Sequence, residues 1–262
     1  MHVKEIYGNN ICVSQKPLNL LIGEIEMEIE ALTRKVTPKE KRKERVESVV
    51  EGLRFGQRIT DFQFDQLYPP LARRLSSTHW TPVEVAIRAA ELLADSPKSR
   101  VLDVGSGCGK FCTVAALTRC GQFIGVEQRP NLVEIAQGIS EELAVTNVSF
   151  VHGNMADLDW SFFDSFYMFN PFYENQIKSI QIDNIVPLSP DRFYRNVDIV
   201  RSKLRLARPG TKVVTYHGFG GEFPAGYHRL KREAIASGFI ELWIKKTGRD
   251  DFDKLQETKI SQ

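Results

Sequence analysis

The chain has few cysteines, no long apolar run and almost no net charge, and each lack excludes a class of protein. Its four cysteines, Cys12, Cys108, Cys112 and Cys120, form no Cys-x-x-Cys pair. No paired His/Cys spacing stands beside them, so neither a disulfide framework nor a structural zinc site is expected, and no metal. Reduced thiols in the cytoplasm are the simpler reading. No apolar run approaches the roughly 20 residues that cross a bilayer. Met1–Lys16 mixes polar and charged residues and lacks the apolar centre of a secretory signal. A soluble, cytoplasmic protein with no membrane partner is therefore expected. The formal net charge of +2 is too small to argue for a polyanionic partner by itself.

What is present is an ordinary globular composition, 42% hydrophobic and 26% charged over 262 residues, enough to bury a large core. The first part reads as helical. Leu18, Leu21, Ile22, Ile25, Ile29 and Leu32 recur at helical spacing, although Glu24–Glu30 alternates apolar and acidic residues and leaves a strand open. A charged stretch, Arg34 to Arg45, follows. Val46, Val49, Val50 and Leu53 then give a second stripe, and Phe64, Leu67, Tyr68 and Leu71 a third. Thr81-Pro82-Val83-Glu84 has the composition of a capping box that starts a helix running to about Ala94. These features suggest an N-terminal helical region over residues 1–80, as cap or substrate-recognition element, and a second domain over 81–262.

From there the pattern changes to strand–helix alternation. Candidate strands are Val101–Val104, Phe123–Glu127, Val148–His152, Ser165–Phe169, Lys212–Tyr216 and Phe239–Lys245. Helical stripes fall between most of them, for example Leu132, Ile135, Ala136, Ile139 and Leu143, or Phe193, Val197, Val200 and Leu204. Such alternation predicts an α/β fold, a Rossmann-like doubly wound and mainly parallel sheet. The segment Trp243 to Ile260, with a polar turn at Gly248–Asp251, suggests a terminal antiparallel hairpin.

The most informative segment is Val101-Leu102-Asp103-Val104-Gly105-Ser106-Gly107-Cys108-Gly109-Lys110. A short apolar strand enters a Gly-x-Gly-x-Gly turn, and a helix follows through Val114, Ala115 and Leu117. Glycines let the backbone turn and approach a ligand closely, and the helix start presents unpaired amides. Glu127 ends the next strand at about the distance expected for a ribose-hydroxyl contact. Lys110 stands where a dinucleotide-binding Gly-x-Gly-x-x-Gly would need its third glycine. Asp103 is placed to orient the turn or engage an ammonium group. Gly153-Asn154-Met155, after the third strand, is placed to meet an adenine ring.

This segment resembles motif I of the class I S-adenosylmethionine-dependent methyltransferases, with Glu127 matching the acidic residue after their second strand. The resemblance covers roughly Thr81 to the C-terminus, with its sharp matches in four loops. It implies S-adenosyl-L-methionine as cofactor, its methionine part held by Asp103, Gly105, Ser106, Gly107 and Gly109. It implies Glu127 on the ribose hydroxyls, with Gln128, Asn154 and Met155 at the adenine. Asn154 replaces the family's usual Asp, and an amide oxygen still accepts a hydrogen bond from the adenine amino group.

The strand Ser165–Phe169 runs into Asn170-Pro171-Phe172-Tyr173, which resembles the (Asn/Asp)-Pro-Pro-(Tyr/Phe) motif of enzymes that methylate amino or amide nitrogens; Phe172 replaces the second proline. By that resemblance Asn170 and Pro171 would accept N–H bonds from the nitrogen. Tyr173 or Phe172 would stack on a planar substrate and face the sulfonium. Asn170 would also border the cofactor. A second resemblance, through Leu102–Gly107 and Gly125-Val126-Glu127, is to the seven-strand histone-lysine methyltransferases. These resemblances leave the acceptor open among a protein, a nucleic acid and a small molecule.

Other residues carry less. Tyr68, Arg73, Arg74, His79 and Trp80 precede the capped helix, where related folds form part of a substrate cleft; packing explains most of them. His217 could reach the pocket as a base, or be structural. The run Arg34–Arg45 and the series Arg192, Arg195, Arg201, Arg205 and Arg208 could meet phosphates, but a solvated helix face is the default, so nucleic-acid contact is not favoured. Cys108 and Cys112 read as packing residues. The competing classes are a non-catalytic cofactor-binding protein and a nicotinamide-dependent oxidoreductase, the latter disfavoured by Lys110.

Overall fold

A computed structural model describes residues 37–177 and 181–246. The chain divides into two units, Met1–Lys41 and Arg42–Gln262, and every contact of the site lies within the second. Among the described residues, seven strands form one sheet: β1 (Arg100–Val104), β2 (Gln122–Glu127), β3 (Val148–His152), β4 (Ser165–Phe169), β5 (Lys212–Tyr216), β6 (Tyr227–Ile235) and β7 (Gly238–Lys245). Their order is β3-β2-β1-β4-β5-β7-β6. The first five pair in parallel, while β7 runs antiparallel to both β5 and β6. The strand order therefore reverses between β1 and β4, and ligands of such sheets bind outside the carboxyl ends of the strands at that point.

Alternation along the strands builds the two faces. Val101 and Tyr167 belong to one apolar core, with Phe111, Phe123 and Val214. Leu102, Val104, Phe166, Met168 and Val213 belong to the other. The first core is covered by α4 (Val83–Leu93), α5 (Lys110–Thr118) and α6 (Pro130–Glu142), and takes in Val49 and Leu53 of α1 (Pro38–Arg54). The second is covered by α7 (Pro190–Leu206) through Val197, Val200 and Leu204. Two further helices, α2 (Asp61–Asp65) and α3 (Pro70–His79), precede α4.

The expected strands fall within a residue of those observed. The terminal hairpin is present, but its partner strand is β6, which joins β7 through Ala236 and Ser237. Most of β6 is exposed and charged, so it shows no apolar alternation. The turn expected at Gly248–Asp251 lies outside the described residues, as does the stripe Leu18–Leu32.

The capping box expected at Thr81 is not formed. Pro82 is the N-cap of α4 and offers no side-chain bond. The Val83 N–H is instead taken by Asp61 Oδ1 at 2.8 Å. Thr81 turns inward, its hydroxyl 3.1 Å from that of Tyr167. A capping box does start α2, at Thr60 and Gln63. The stripe expected through Leu71 is broken at Pro69-Pro70, which begins α3 and leaves Leu71 exposed.

Candidate active site

The glycine turn leaves β1 with Gly105, Gly107 and Gly109 all at positive φ, 77°, 54° and 77°. Two of these positions also have no room for a side chain. A Cβ on Gly107 would lie 2.5 Å from the Trp80 ring, and one on Gly109 would lie 2.5 Å from Phe150. The Gly105 and Ser106 N–H groups donate to the Val126 carbonyl, each at 3.0 Å, which ties the turn to β2. The Ser106 hydroxyl is buried and has no hydrogen-bond partner among the described residues.

Glu127, at the end of β2, is buried and holds the turn from the other side. It accepts from Gly107 N–H at 3.1 Å and from Arg129 N–H at 3.0 Å. Burial pushes its carboxyl above the ordinary range, against the pull of those N–H groups and of the nearby guanidinium. Asp103 is also buried, and its Oδ2 receives the Cys112 thiol at 3.6 Å. Burial, helped by the Glu127 charge, raises the Asp103 carboxyl to about 8.

Two buried cations, whose roles the sequence did not disclose, fasten this turn to its surroundings. Lys110 Nζ lies 2.7 Å from both Asp61 Oδ1 and Asp65 Oδ1 and 3.2 Å from Ser76 Oγ. Arg129, at the start of α6, grips the Glu174 carboxylate with two bonds of 2.9 and 3.0 Å. Its Nε donates to Asp183 at 2.9 Å. A sequence shows only that these residues are charged; their burial comes from chain segments brought together by the fold.

The loop after β4 crosses in front of the glycine turn. Asn170 sits at φ 40°, uncommon for a non-glycine residue. Its N–H donates to Gly218 O at 3.0 Å. A Cβ on Gly105 would lie 3.1 Å from Pro171 Cβ, so the two loops are in close contact. Among the described residues, neither the Asn170 side chain nor the Pro171 carbonyl has a hydrogen-bond partner. Phe172 is buried in the same core as Val126 and Met155. Tyr173 stays 42% exposed.

Two cavities meet at this loop. The first, of about 100 Å³, is lined by Gly105, Gly107, Glu127, Gln128, Met155 and the run Asn170–Glu174. The expected site residues Asp103, Ser106, Gly109 and Asn154 do not line it. Asp103 faces Cys112, Gly109 caps α5, and Asn154 Oδ1 accepts from the Ala156 N–H at 2.9 Å. The second, of about 810 Å³, is lined by Asp61, Trp80, Phe169, Asn170, Tyr173 and His217 among others. Trp80, Phe169, Asn170 and Tyr173 border both. Arg73 lies at the second cavity but is committed to the carbonyls of Asp65, Gln66 and Tyr68 and to the Gln66 side chain.

The residues fit an adenosyl cofactor on their own chemistry. A buried acid stands at the end of β2 beside a turn that must be glycine, and Glu127, Gly105 and Gly107 line the same cavity. This arrangement, at the switch point of a sheet in the order found here, defines a Rossmann-like S-adenosylmethionine-dependent methyltransferase. A family model described as a methyltransferase domain matches residues 95–254, more than half of the chain. The chain belongs to that family, and its cofactor is S-adenosylmethionine.

Solved structures are similar in fold. TrmN from Thermus thermophilus has a TM-score of 0.50 and 16% identity, over 67% of this chain and 52% of that one. The present chain thus spans about half the length of that protein. An RNA methyltransferase from Salinibacter ruber, in complex with S-adenosyl-L-homocysteine, has a TM-score of 0.46 and 23% identity, over 63% of this chain and 93% of that one. Cofactor-bound Rv0187 from MTB has a TM-score of 0.48 and 14% identity, over 86% and 97%. Among the described residues no helix is long and apolar enough to cross a membrane.

Proposed function

We propose that this methyltransferase acts on a nitrogen whose lone pair is delocalised, as in an amino or amide group. The observation that carries the reading is the pair of open acceptors at the junction of the two cavities. The Asn170 side chain and the Pro171 carbonyl have no partner among the described residues, and Asn170 borders both cavities. Such a nitrogen must be held by its N–H groups so that its lone pair points at the methyl carbon. Two fixed acceptors do this, and catalysis is then mostly alignment. When bound, S-adenosylmethionine supplies the electrophilic methyl group.

The cofactor residues take narrower roles than their sequence order implied. Gly105 and Gly107 give the backbone surface against which the methionine part lies, and Glu127 receives the ribose hydroxyls. Gln128 and Met155 border the adenine end. Asp103, Ser106 and Gly109 shape the turn from behind, and Asn154 fixes the following loop through Ala156. Tyr173, at the border of both cavities and partly exposed, is the aromatic that meets a planar acceptor. Phe172 anchors the loop in the core. A cytoplasmic setting agrees with the free thiols of Cys108 and Cys112.

The test is labelled-methyl transfer from S-adenosylmethionine to protein, nucleic-acid and metabolite pools, with chemical identification of the methylated atom. The expected product is an N-methyl group, and Asn170→Ala is expected to bind S-adenosylhomocysteine normally while transfer falls about 100-fold or more, in the range of a lost positioning contact. An O-, S- or C-methyl product, or undiminished transfer by Asn170→Ala, would overturn the reading.

A further inference from the structure

We infer that Arg192 sets how the cofactor's base is read: it holds the Gln128 amide so that the amide donates to a ring nitrogen of adenine. Arg192 itself lines neither cavity, so it is a positioning residue that acts through Gln128. The inference rests on the cofactor placement above, with Gln128 and Met155 at the adenine end.

The fold joins two residues that stand 64 positions apart. Gln128 follows the last residue of β2, and its backbone carbonyl lies 3.2 Å from Nε2 of His152, at the end of β3. Arg192 stands in the first turn of α7, where the Ser189 hydroxyl accepts its N–H at 3.2 Å. From there Arg192 Nη2 donates to Gln128 Oε1 at 3.1 Å. The helical series Arg192–Arg208 offers this arginine to phosphates; in the fold its guanidinium bonds instead to an amide beside the cofactor cavity.

That bond decides which end of the amide is free. A guanidinium only donates, and within a primary amide only the oxygen accepts. The oxygen is therefore turned to Arg192. The Gln128 NH2, without a hydrogen-bond partner among the described residues, is left for the cavity that Gln128 lines. Adenine offers ring nitrogens that accept and an exocyclic amino group that donates. An amide NH2 matches the first and not the second. Neighbouring polar groups are already engaged: Asn154 Oδ1 by the Ala156 N–H, and the Arg129 guanidinium by Glu174 and Asp183. Released from Arg192, the Gln128 amide is free to turn over and accept from the amino group instead.

The experiment is calorimetry with S-adenosylhomocysteine and its 1-deaza, 3-deaza and 7-deaza analogues, each of which lacks one ring acceptor. Wild type is expected to bind one analogue at least about tenfold more weakly than the parent, because a donor is left unpaired. In Arg192→Met that ratio is expected to fall below about threefold, as it is in Gln128→Leu, which has no amide. An arginine that only stabilised α7 would change all four affinities alike and leave the ratio in place. Wild-type binding of all four ligands within about threefold, or a tenfold ratio that persists in Arg192→Met, would overturn the inference. The two readings fail separately. A ratio lost in Gln128→Leu but kept in Arg192→Met removes the role of Arg192 and leaves the cofactor placement standing. A ratio kept in both variants removes the placement of adenine against Gln128 as well.

Discussion

Arg129 and Glu174 face each other through two nearly equal bonds, 2.9 and 3.0 Å, and the guanidinium side chain is only 3% exposed. The pair joins the start of α6 to the acceptor loop four residues beyond Asn170. A planar guanidinium matches a carboxylate in this way, and an ammonium does not. Arg129→Met should therefore cost about 3–5 kcal/mol, because Glu174 and Glu127 lose a buried counter-charge. Arg42 and Glu142 form a bridge with exposed side chains, 41% and 31%, and Arg42→Met should cost no more than about 1 kcal/mol. Denaturant melts of both variants measure the difference, and equal losses would contradict it.

Lys110 should behave in the same way. Its Nζ is enclosed by Asp61, Asp65 and Ser76, so Lys110→Met leaves the Asp65 carboxylate, 11% exposed, without its cation. A loss of about 3–5 kcal/mol is expected, and Lys110→Met with Asp65→Leu should recover most of it. A double-mutant cycle reads the coupling. Additive losses would show that the pair does not act as a unit.

Gly107→Val should abolish cofactor binding for two reasons. The position has φ 54°, where a branched side chain is strained, and its Cβ would lie 2.5 Å from the buried Trp80 ring. A shift of Trp80 would disturb the wall shared by both cavities. Calorimetry reports S-adenosylhomocysteine affinity, expected to fall at least about 100-fold, equivalent to about 2.7 kcal/mol.

Asp103 gives a pH dependence of definite sign. Its folded-state value of about 8 lies above the ordinary value near 3.9. The protonated carboxyl is thus the form that the fold accommodates. Its contribution to stability is fully present below about pH 4 and is lost as pH rises through about 8. Asp103→Asn keeps the shape and has no proton to lose, so its melting temperature should fall less than that of the wild type between pH 5 and 8. Parallel curves would refute the assignment.

The strands and the glycine turn were legible because apolar runs between turn residues leave few alternatives. The edge strand β6 was not. Leu230 is its main apolar residue between Tyr227 and Ala234, and it is exposed. Thr81 failed as a cap because Pro82 takes the N-cap place and Asp61, distant in sequence, supplies the bond. Asn170, Pro171 and Tyr173 could be named from one tetrapeptide. Lys110 and Arg129 could not be given their roles, because these depend on Asp65 and Glu174, each about 45 residues away. Local pattern reveals the loops, and only the assembled fold reveals what locks them in register.

The central claim is that the glycine turn binds the cofactor while Asn170 acts on the acceptor. Calorimetric titration of wild type, Gly107→Val and Asn170→Ala with S-adenosylhomocysteine tests it most directly. The account predicts binding by wild type and by Asn170→Ala with similar affinity, and none by Gly107→Val. Normal binding by a folded Gly107→Val, or loss of binding in Asn170→Ala alone, would contradict it.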